Sequence, residues 1–183
     1  MGLIARAKHI LLAPNDAWQE IEREPPAPAS LLLNYALPLA AIGPAALAVR
    51  TLLFETPAPP VSGLALIAAG TALNLAAALS VAIATMFVAA VCGAKREFGR
   101  ALTVSFYSAT SMWIASVSVL APDQAVFAIV VFGGLMHSLY LFYLGLIAVL
   151  KVPDDDAGIA TAIIITLALA AFVALGWVFA FVV

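Results

Sequence analysis

"VSGLALIAAGTALNLAAALSVAIATMFVAAVC", residues 61–92, contains no Asp, Glu, Lys or Arg and decides the fold class of this chain. The hydrocarbon core of a bilayer is about 30 Å thick and is crossed by roughly 20 apolar residues of an α-helix, so this run is long enough to span it. The run lacks the strict alternation of apolar and polar residues that a transmembrane barrel strand requires. It therefore predicts a transmembrane helix, from about Val61 to about Cys92.

Four further apolar runs have a similar length. The five predicted spans are Leu31–Phe54, about Val61–Cys92, Ala101–Ala121, about Gln124–Leu150 and Ala157–Val183. The 183 residues are 65% hydrophobic and only 10% charged, whereas roughly a quarter of the residues in soluble domains are charged. We therefore predict an all-α integral membrane protein, with a five-helix transmembrane bundle over residues 31–183 after a short amphipathic helical segment at residues 1–26.

The distribution of basic residues predicts the orientation of the bundle. The segments before the first span, between the second and third, and between the fourth and fifth contain seven of the eight basic residues: Arg6, Lys8, Arg23, Lys95, Arg96, Arg100 and Lys151. The remaining one, Arg50, lies near the opposite end of the first span. Because loops rich in Lys and Arg stay in the cytoplasm, we expect a cytoplasmic N-terminus and, with five spans, a periplasmic C-terminus.

The segment "MGLIARAKHILLAPNDAWQEIEREPP", residues 1–26, combines helical periodicity with charge. One interpretation is an interfacial helix whose basic residues face lipid headgroups, with Trp18 as an anchor at the membrane boundary. The other is a docking surface that presents glutamates to a partner. The candidate residues for contact with lipid or a partner, here and in the basic loops, are Arg6, Lys8, Trp18, Glu20, Glu24, Lys95, Arg96 and Lys151.

A few polar residues fall inside the predicted spans, where an unsatisfied polar group is costly. The candidates are Asn74, Ser108, Ser111 and His137. Hydrogen bonds between helices are their expected use, and a wet path for a solute or an ion is the alternative. A row of small residues in the second span, Ala72, Ala76, Ser80 and Ala84, predicts close packing against another helix.

The sequence gives no support for catalysis, a cofactor or a metal site. It contains no nucleophile elbow, zinc-protease motif or phosphate-binding loop, and its one cysteine, Cys92, belongs to no His/Cys cluster. The run Asp154–Asp156 fits the start of a helix, whose dipole favours negative charge, better than a cation site. We therefore expect no enzyme activity, no catalytic residues, no cofactor and no nucleic-acid partner.

Four segments occur in a characteristic order: "LLAPNDAWQEIEREPP" (11–26), "YALPLAAIGP" (35–44), "GAKREFGRALTVSFYSAT" (93–110) and "YLFYLGLIAVLKVPDDDAGIAT" (140–161). Together they resemble the bacterial branch of the Yip family of small five-span membrane proteins. The resemblance covers residues 6–166 and implies a multi-pass protein of the bacterial inner membrane. Eukaryotic members are associated with Rab GTPases, but they carry an Asp-Leu-Tyr-Gly-Pro-like motif that is absent here, so a Rab partner is not expected.

These observations lead to three functional hypotheses, of which an intramembrane enzyme is the weakest. The first is a non-enzymatic membrane scaffold or adaptor that organises the bilayer or protein partners, with a role in membrane shaping or a trafficking-like process. Its partners would be membrane lipids, further copies of itself or another membrane protein. The alternative is a small solute or ion transporter or channel that uses the polar residues of spans two to four. A continuous polar cavity lined by Asn74, Ser108, Ser111 and His137 would favour the alternative.

Overall fold

The computed structural model describes residues 1–54, 62–94 and 96–182, and all regular structure within these ranges is helical. In this part of the chain we distinguish α1 (Leu3–Leu12), α2 (Pro14–Arg23), α3 (Pro28–Leu53), α4 (Gly63–Val91), α5 (Phe98–Leu120), α6 (Gln124–Leu150) and α7 (Asp154–Val182). Helices α3 to α6 are each long and apolar enough to cross a membrane. The predicted all-α membrane fold is therefore confirmed.

The first four predicted spans correspond to α3, α4, α5 and α6, with helix boundaries within three residues of the predicted ones. Val61, the predicted start of the second span, lies outside the described residues, as does Val183 at the end of the fifth. Helix α7 covers the position of the fifth predicted span, and its passage through the membrane stays a prediction.

Helix α3 is interrupted because it contains two prolines. A π-helical turn at Leu32–Ala36 precedes Pro38, and a break at Ala41 precedes Pro44. Proline has no backbone N–H, so Pro44 cannot donate to the carbonyl four residues earlier, that of Ala40. The side chain of Asn74 in α4 donates to this carbonyl instead, with Nδ2 2.8 Å from the oxygen. A neighbouring helix thus satisfies the backbone group that the proline leaves free.

Helix α5 is also irregular. It consists of α-helical segments at Phe98–Ser108 and Thr110–Ala115 and a 3₁₀ turn at Ser116–Leu120. Its hydroxyl side chains fix it to its neighbours: Thr110 Oγ1 lies 2.8 Å from the Tyr35 hydroxyl of α3, and Ser105 Oγ donates to the Ala78 carbonyl of α4 at 2.5 Å. Helix α5 therefore forms the centre of the bundle, and half of the residues in its most hydrophobic stretch are buried.

The N-terminal helices α1 and α2 form a hairpin, here called the N-terminal hairpin (residues 3–23), which packs against α6 and α5. Its apolar residues belong to the same hydrophobic core as those of the membrane helices; the hairpin residues in this core are Ala7, Ile10, Ala17, Trp18 and Ile21. The N-terminal hairpin and the membrane helices thus contribute to one hydrophobic core.

The predicted packing row of α4 differs from the observed one. Ala72 and Ala76 are exposed, and Ser80 and Ala84 are half-buried. The buried side of α4 is formed by Thr71, Ala78, Ala82, Thr85, Val88 and Ala89. Because Ala and other small residues occur on every side of this helix, small-residue spacing did not determine which side faces the neighbouring helices.

Candidate functional site

Trp18 is the residue that fixes the N-terminal hairpin to the bundle. Pro14 occupies the first turn of α2, a position where its missing N–H costs nothing, and one turn later Trp18 points inward. Only 1% of its surface is exposed, and its ring packs edge-on against Tyr107 with 6.2 Å between the centroids. A Cβ atom on Gly145 of α6 would lie 2.9 Å from the Trp18 ring. The glycine therefore provides the space for the indole.

This position differs from both expectations for Trp18. An anchor at the membrane boundary would contact lipid, and a docking residue would be accessible to a partner, but the structure places the indole inside the protein. The physical reason is that helical periodicity identified Ala17, Trp18 and Ile21 as one apolar face without showing what covers it. That face is covered by α5 and α6, not by lipid.

Arg6 is buried as well and does not lie on the outer surface of α1 as the sequence predicted. Its side chain is 8% exposed and forms ion pairs with Glu24, to which it donates a hydrogen bond, and with Glu20 at 3.5 Å. His9 Nδ1 lies 3.3 Å from the other Glu20 oxygen. Two of the predicted partner-facing glutamates thus hold α1 and α2 together, although both remain partly exposed. Lys8 is exposed on the outer side of α1.

Two polar contacts join α2 to the loops of the bundle. Lys151 Nζ lies 3.3 Å from Glu22 Oε1, and Arg100 Nη1 donates to the Glu22 carbonyl at 3.2 Å. Arg100 also pairs with Glu97, with Nε 3.0 Å from Oε2. These contacts place the loops before α5 and after α6 at the same end of the bundle as the N-terminal hairpin.

The remaining basic loop candidates have different surroundings. Arg96 is exposed, and its guanidinium carbon lies 5.1 Å from the centre of the Phe87 ring in α4. Lys95 lies outside the described residues. Lys151 adopts a left-handed backbone conformation, with φ of 58°, where α6 ends.

An open cavity of about 420 Å³, here called the hairpin cleft, lies between the N-terminal hairpin and the ends of α3, α5 and α6. Its polar lining comes from Arg6, Glu24, Ser30, Asn34, Arg100, Thr103 and Tyr107. Its apolar lining includes Leu31, Ile21 and Val149. Of the predicted candidates that the structure describes, the cleft brings together Arg6 and Glu24 only.

Arg100, Thr103 and Tyr107 were not predicted as site residues. The spacing of these three residues, i, i+3 and i+7, places them on one side of a helix, and this spacing was visible in the sequence. The contribution of Ser30 and Asn34 from α3 was not visible, because it depends on how α2 and α3 are joined by the turn at residues 24–27.

The four intramembrane candidates do not form a common path. Ser111 Oγ and His137 Nδ1 lie 2.7 Å apart and bond to each other, while Asn74 is bonded to α3. Asn74 and Ser108 line a second cavity of about 350 Å³ between α4, α5, α6 and α7, and neither Ser111 nor His137 lines it. Ser108 Oγ is buried without a hydrogen-bond partner among the described residues.

Within the described residues no group of three or more His, Cys, Asp or Glu side chains is arranged to hold a metal ion. The expected absence of a metal or cofactor stays a prediction. Asp154, Asp155 and Asp156 occupy the first turn of α7, as the sequence predicted for a helix start.

Comparison with known proteins gives one match. The family model described as "Yip1 domain" matches residues 8–178, which include most of the N-terminal hairpin and all of α3 to α6. No significant match was found among curated proteins or among solved structures.

Proposed function

Because this chain belongs to the Yip1 domain family of membrane proteins, we propose that it is a non-enzymatic scaffold or adaptor that organises the bilayer or protein partners. We place it in the bacterial inner membrane, with the N-terminal hairpin in the cytoplasm and the C-terminus in the periplasm. Its proposed partners are lipids, a second copy of the chain or another membrane protein. A Rab-type GTPase is not among them.

The observation that carries this proposal is the rigid attachment of the N-terminal hairpin. Burial of Trp18 against Gly145 fixes α2 to the bundle, so the outer side of α2 has a defined position relative to the membrane helices. That side exposes Asn15, Asp16, Gln19 and Arg23. A polar surface on a rigid support suits protein association, because little conformational entropy is lost when a partner binds.

The transport alternative has less support. A solute path needs polar groups that follow one another across the membrane, and the side chains of Ser111 and His137 are bonded to each other away from the cavity that Asn74 and Ser108 line. Most residues that line this cavity are apolar.

The test is a double charge change on the outer side of α2, Asp16→Lys with Gln19→Lys, in the full chain. We expect normal insertion and a loss of cross-linked partners, since two added lysines would change the charge and shape of the surface that a partner contacts. Asp155→Lys is the matched control, because it reverses an exposed carboxylate on α7, a different helix from α2. Insertion is measured by protease protection and association by co-purification from the same membranes. Unchanged association of the double variant would place the partner surface elsewhere.

A further inference from the structure

We propose that the hairpin cleft binds the headgroup of a glycerophospholipid, with the phosphate held by Arg6 and Arg100. The proposal goes beyond the scaffold function and does not depend on it. It rests on the burial of Arg6, the arrangement of α5, the depth of the cleft and the charges of its lining.

The cleft contains a buried cation that is not fully used by the protein. The side chain of Arg6 is 8% exposed, and its Nη2 atom is engaged by Glu24. Its Nη1 atom lies 3.5 Å from Glu20 Oε1, beyond the usual length of a hydrogen bond, and has no hydrogen-bond partner among the described residues. An unpaired buried guanidinium N–H is costly. Nη1 itself is enclosed, with less than 1 Å² accessible, so an oxygen of a phosphate in the cleft would satisfy it after a small rotation of the guanidinium.

Helix α5 adds a second cation and hydroxyl groups on the same wall. Arg100, Thr103 and Tyr107 all line the cleft. Arg100 uses Nε for Glu97 and Nη1 for the Glu22 carbonyl, so its guanidinium is held at a fixed position with further N–H groups remaining. Two guanidinium groups on one cavity are well suited to phosphate, whose oxygens accept several directed hydrogen bonds.

The position of the cleft favours a lipid over a free anion. Its lining includes the first turns of α3, the first three turns of α5 and the last turn of α6. When these helices span a bilayer, their ends lie near the boundary between the hydrocarbon core and the headgroups. Polar residues Ser30, Asn34 and Glu24 at the rim are exposed, while Leu31, Ile21 and Val149 supply apolar surface. A glycerophospholipid also has a polar headgroup joined to apolar acyl chains, so its two parts match the polar rim and the apolar surface of the cleft.

The charges of the lining indicate which phosphate fits. Arg6 and Arg100 are opposed by one lining carboxylate, Glu24, and Glu20 and Glu97 approach the same guanidinium groups from outside the lining. Arg6, Arg100 and Glu24 together give the lining one net positive charge, which matches the single negative charge of a phosphodiester, such as that of phosphatidylglycerol. A more highly charged phosphomonoester would be repelled by the carboxylates.

The experiment is a lipid titration of the delipidated full chain in detergent, followed by native mass spectrometry. We expect phosphatidylglycerol to bind more tightly than diacylglycerol, which lacks the phosphate, and more tightly than free glycerophosphoglycerol, which lacks the chains. Arg100→Gln should weaken phosphatidylglycerol binding about tenfold, since it removes a hydrogen bond between charged groups. Arg23→Gln, the same exchange at an exposed position outside the cleft, should leave binding unchanged.

A second variant separates lipid binding from a structural role of Arg100. Like Arg100→Gln, Glu97→Gln breaks the Arg100–Glu97 pair, but it leaves the guanidinium in place. It should therefore preserve or strengthen lipid binding. If Arg100→Gln acted only by damaging the fold, both variants would weaken binding. Equal binding of phosphatidylglycerol and diacylglycerol would overturn the proposal. Equal binding of the free headgroup would show a soluble anion site and would overturn its assignment to lipid.

Discussion

At the scale of single residues, two side chains that the sequence marked for the surface prove to be internal. Trp18 is packed against Gly145 and Tyr107, and Arg6 is enclosed by Glu20 and Glu24. Truncation of a buried tryptophan to alanine removes its apolar contacts and leaves a cavity, which typically costs about 3–5 kcal/mol. The stability of the hairpin attachment should therefore depend on one indole.

We predict that Trp18→Ala releases the N-terminal hairpin from the bundle. The expected result is faster proteolysis of residues 1–26 in mild detergent and a fall of about 3 kcal/mol in the free energy of unfolding, with α3 to α6 still inserted. Gln19→Ala is the control, since Gln19 is the exposed neighbour on the same helix. A variant hairpin as resistant to protease as the native one would show that Trp18 is not the attachment point.

At the scale of elements, proline and asparagine act together across two helices. Gly70 allows α4 to approach Pro44, because a Cβ there would lie 2.7 Å from the proline ring, and one turn later Asn74 donates to the Ala40 carbonyl. If the Asn74 side chain replaces the missing donor to this carbonyl, the contribution of Asn74 to stability should depend on Pro44, which leaves the carbonyl without a backbone donor.

A double-mutant cycle tests this dependence. Asn74→Leu should lower the free energy of unfolding by about 1 kcal/mol in the native background, and by less when Pro44→Ala restores a backbone N–H to Ala40. The cycle removes the separate cost of the lost proline ring. Ser80→Ala is the control, because Ser80 bonds only to the Ala77 carbonyl of its own helix. Equal losses in both backgrounds would contradict the coupling.

Helices were more predictable than their contacts, for a physical reason. A long run without charges leaves a helix as the simplest way to satisfy the backbone in lipid, so the bounds of α6 were predicted to the residue. The partner of a helix face depends on the whole bundle, which is why the exposed row beginning at Ala72 and the burial of Trp18 were not predicted. The hairpin cleft was missed for the same reason, since four separate segments form it.

At the scale of the whole molecule, the structure groups the basic residues at one end. Glu22 of the hairpin contacts both Lys151 and the Arg100 side chain, so the two basic loops lie beside the N-terminal helices. Arg50 donates to the Val119 carbonyl near the end of α5, away from this group. Because segments rich in Lys and Arg stay in the cytoplasm, this grouping favours a cytoplasmic position for the hairpin end of the bundle, as the sequence predicted.

We predict that a reporter inserted beside Arg96 is cytoplasmic and that one fused after residue 183 is periplasmic. The reason is that seven of the eight basic residues belong to the hairpin and the loops joined to it. Paired fluorescent and phosphatase fusions give opposite signals on the two sides and serve as mutual controls. A cytoplasmic signal from the fusion after residue 183 would rule out an odd number of spans.

The contact between Trp18 and Gly145 also has a consequence for biosynthesis. The ribosome completes the hairpin long before it makes the glycine, since 127 residues separate the two positions (145 minus 18). At 5–20 residues per second, this interval is roughly 6–25 s. Until α6 is made, the pocket for the indole is incomplete, since Tyr107 of α5 is present but Gly145 is not, and the bilayer surface is the other apolar phase within reach. The Trp18 face of the nascent hairpin therefore moves from the bilayer surface onto the bundle when α6, the fourth membrane helix, is completed.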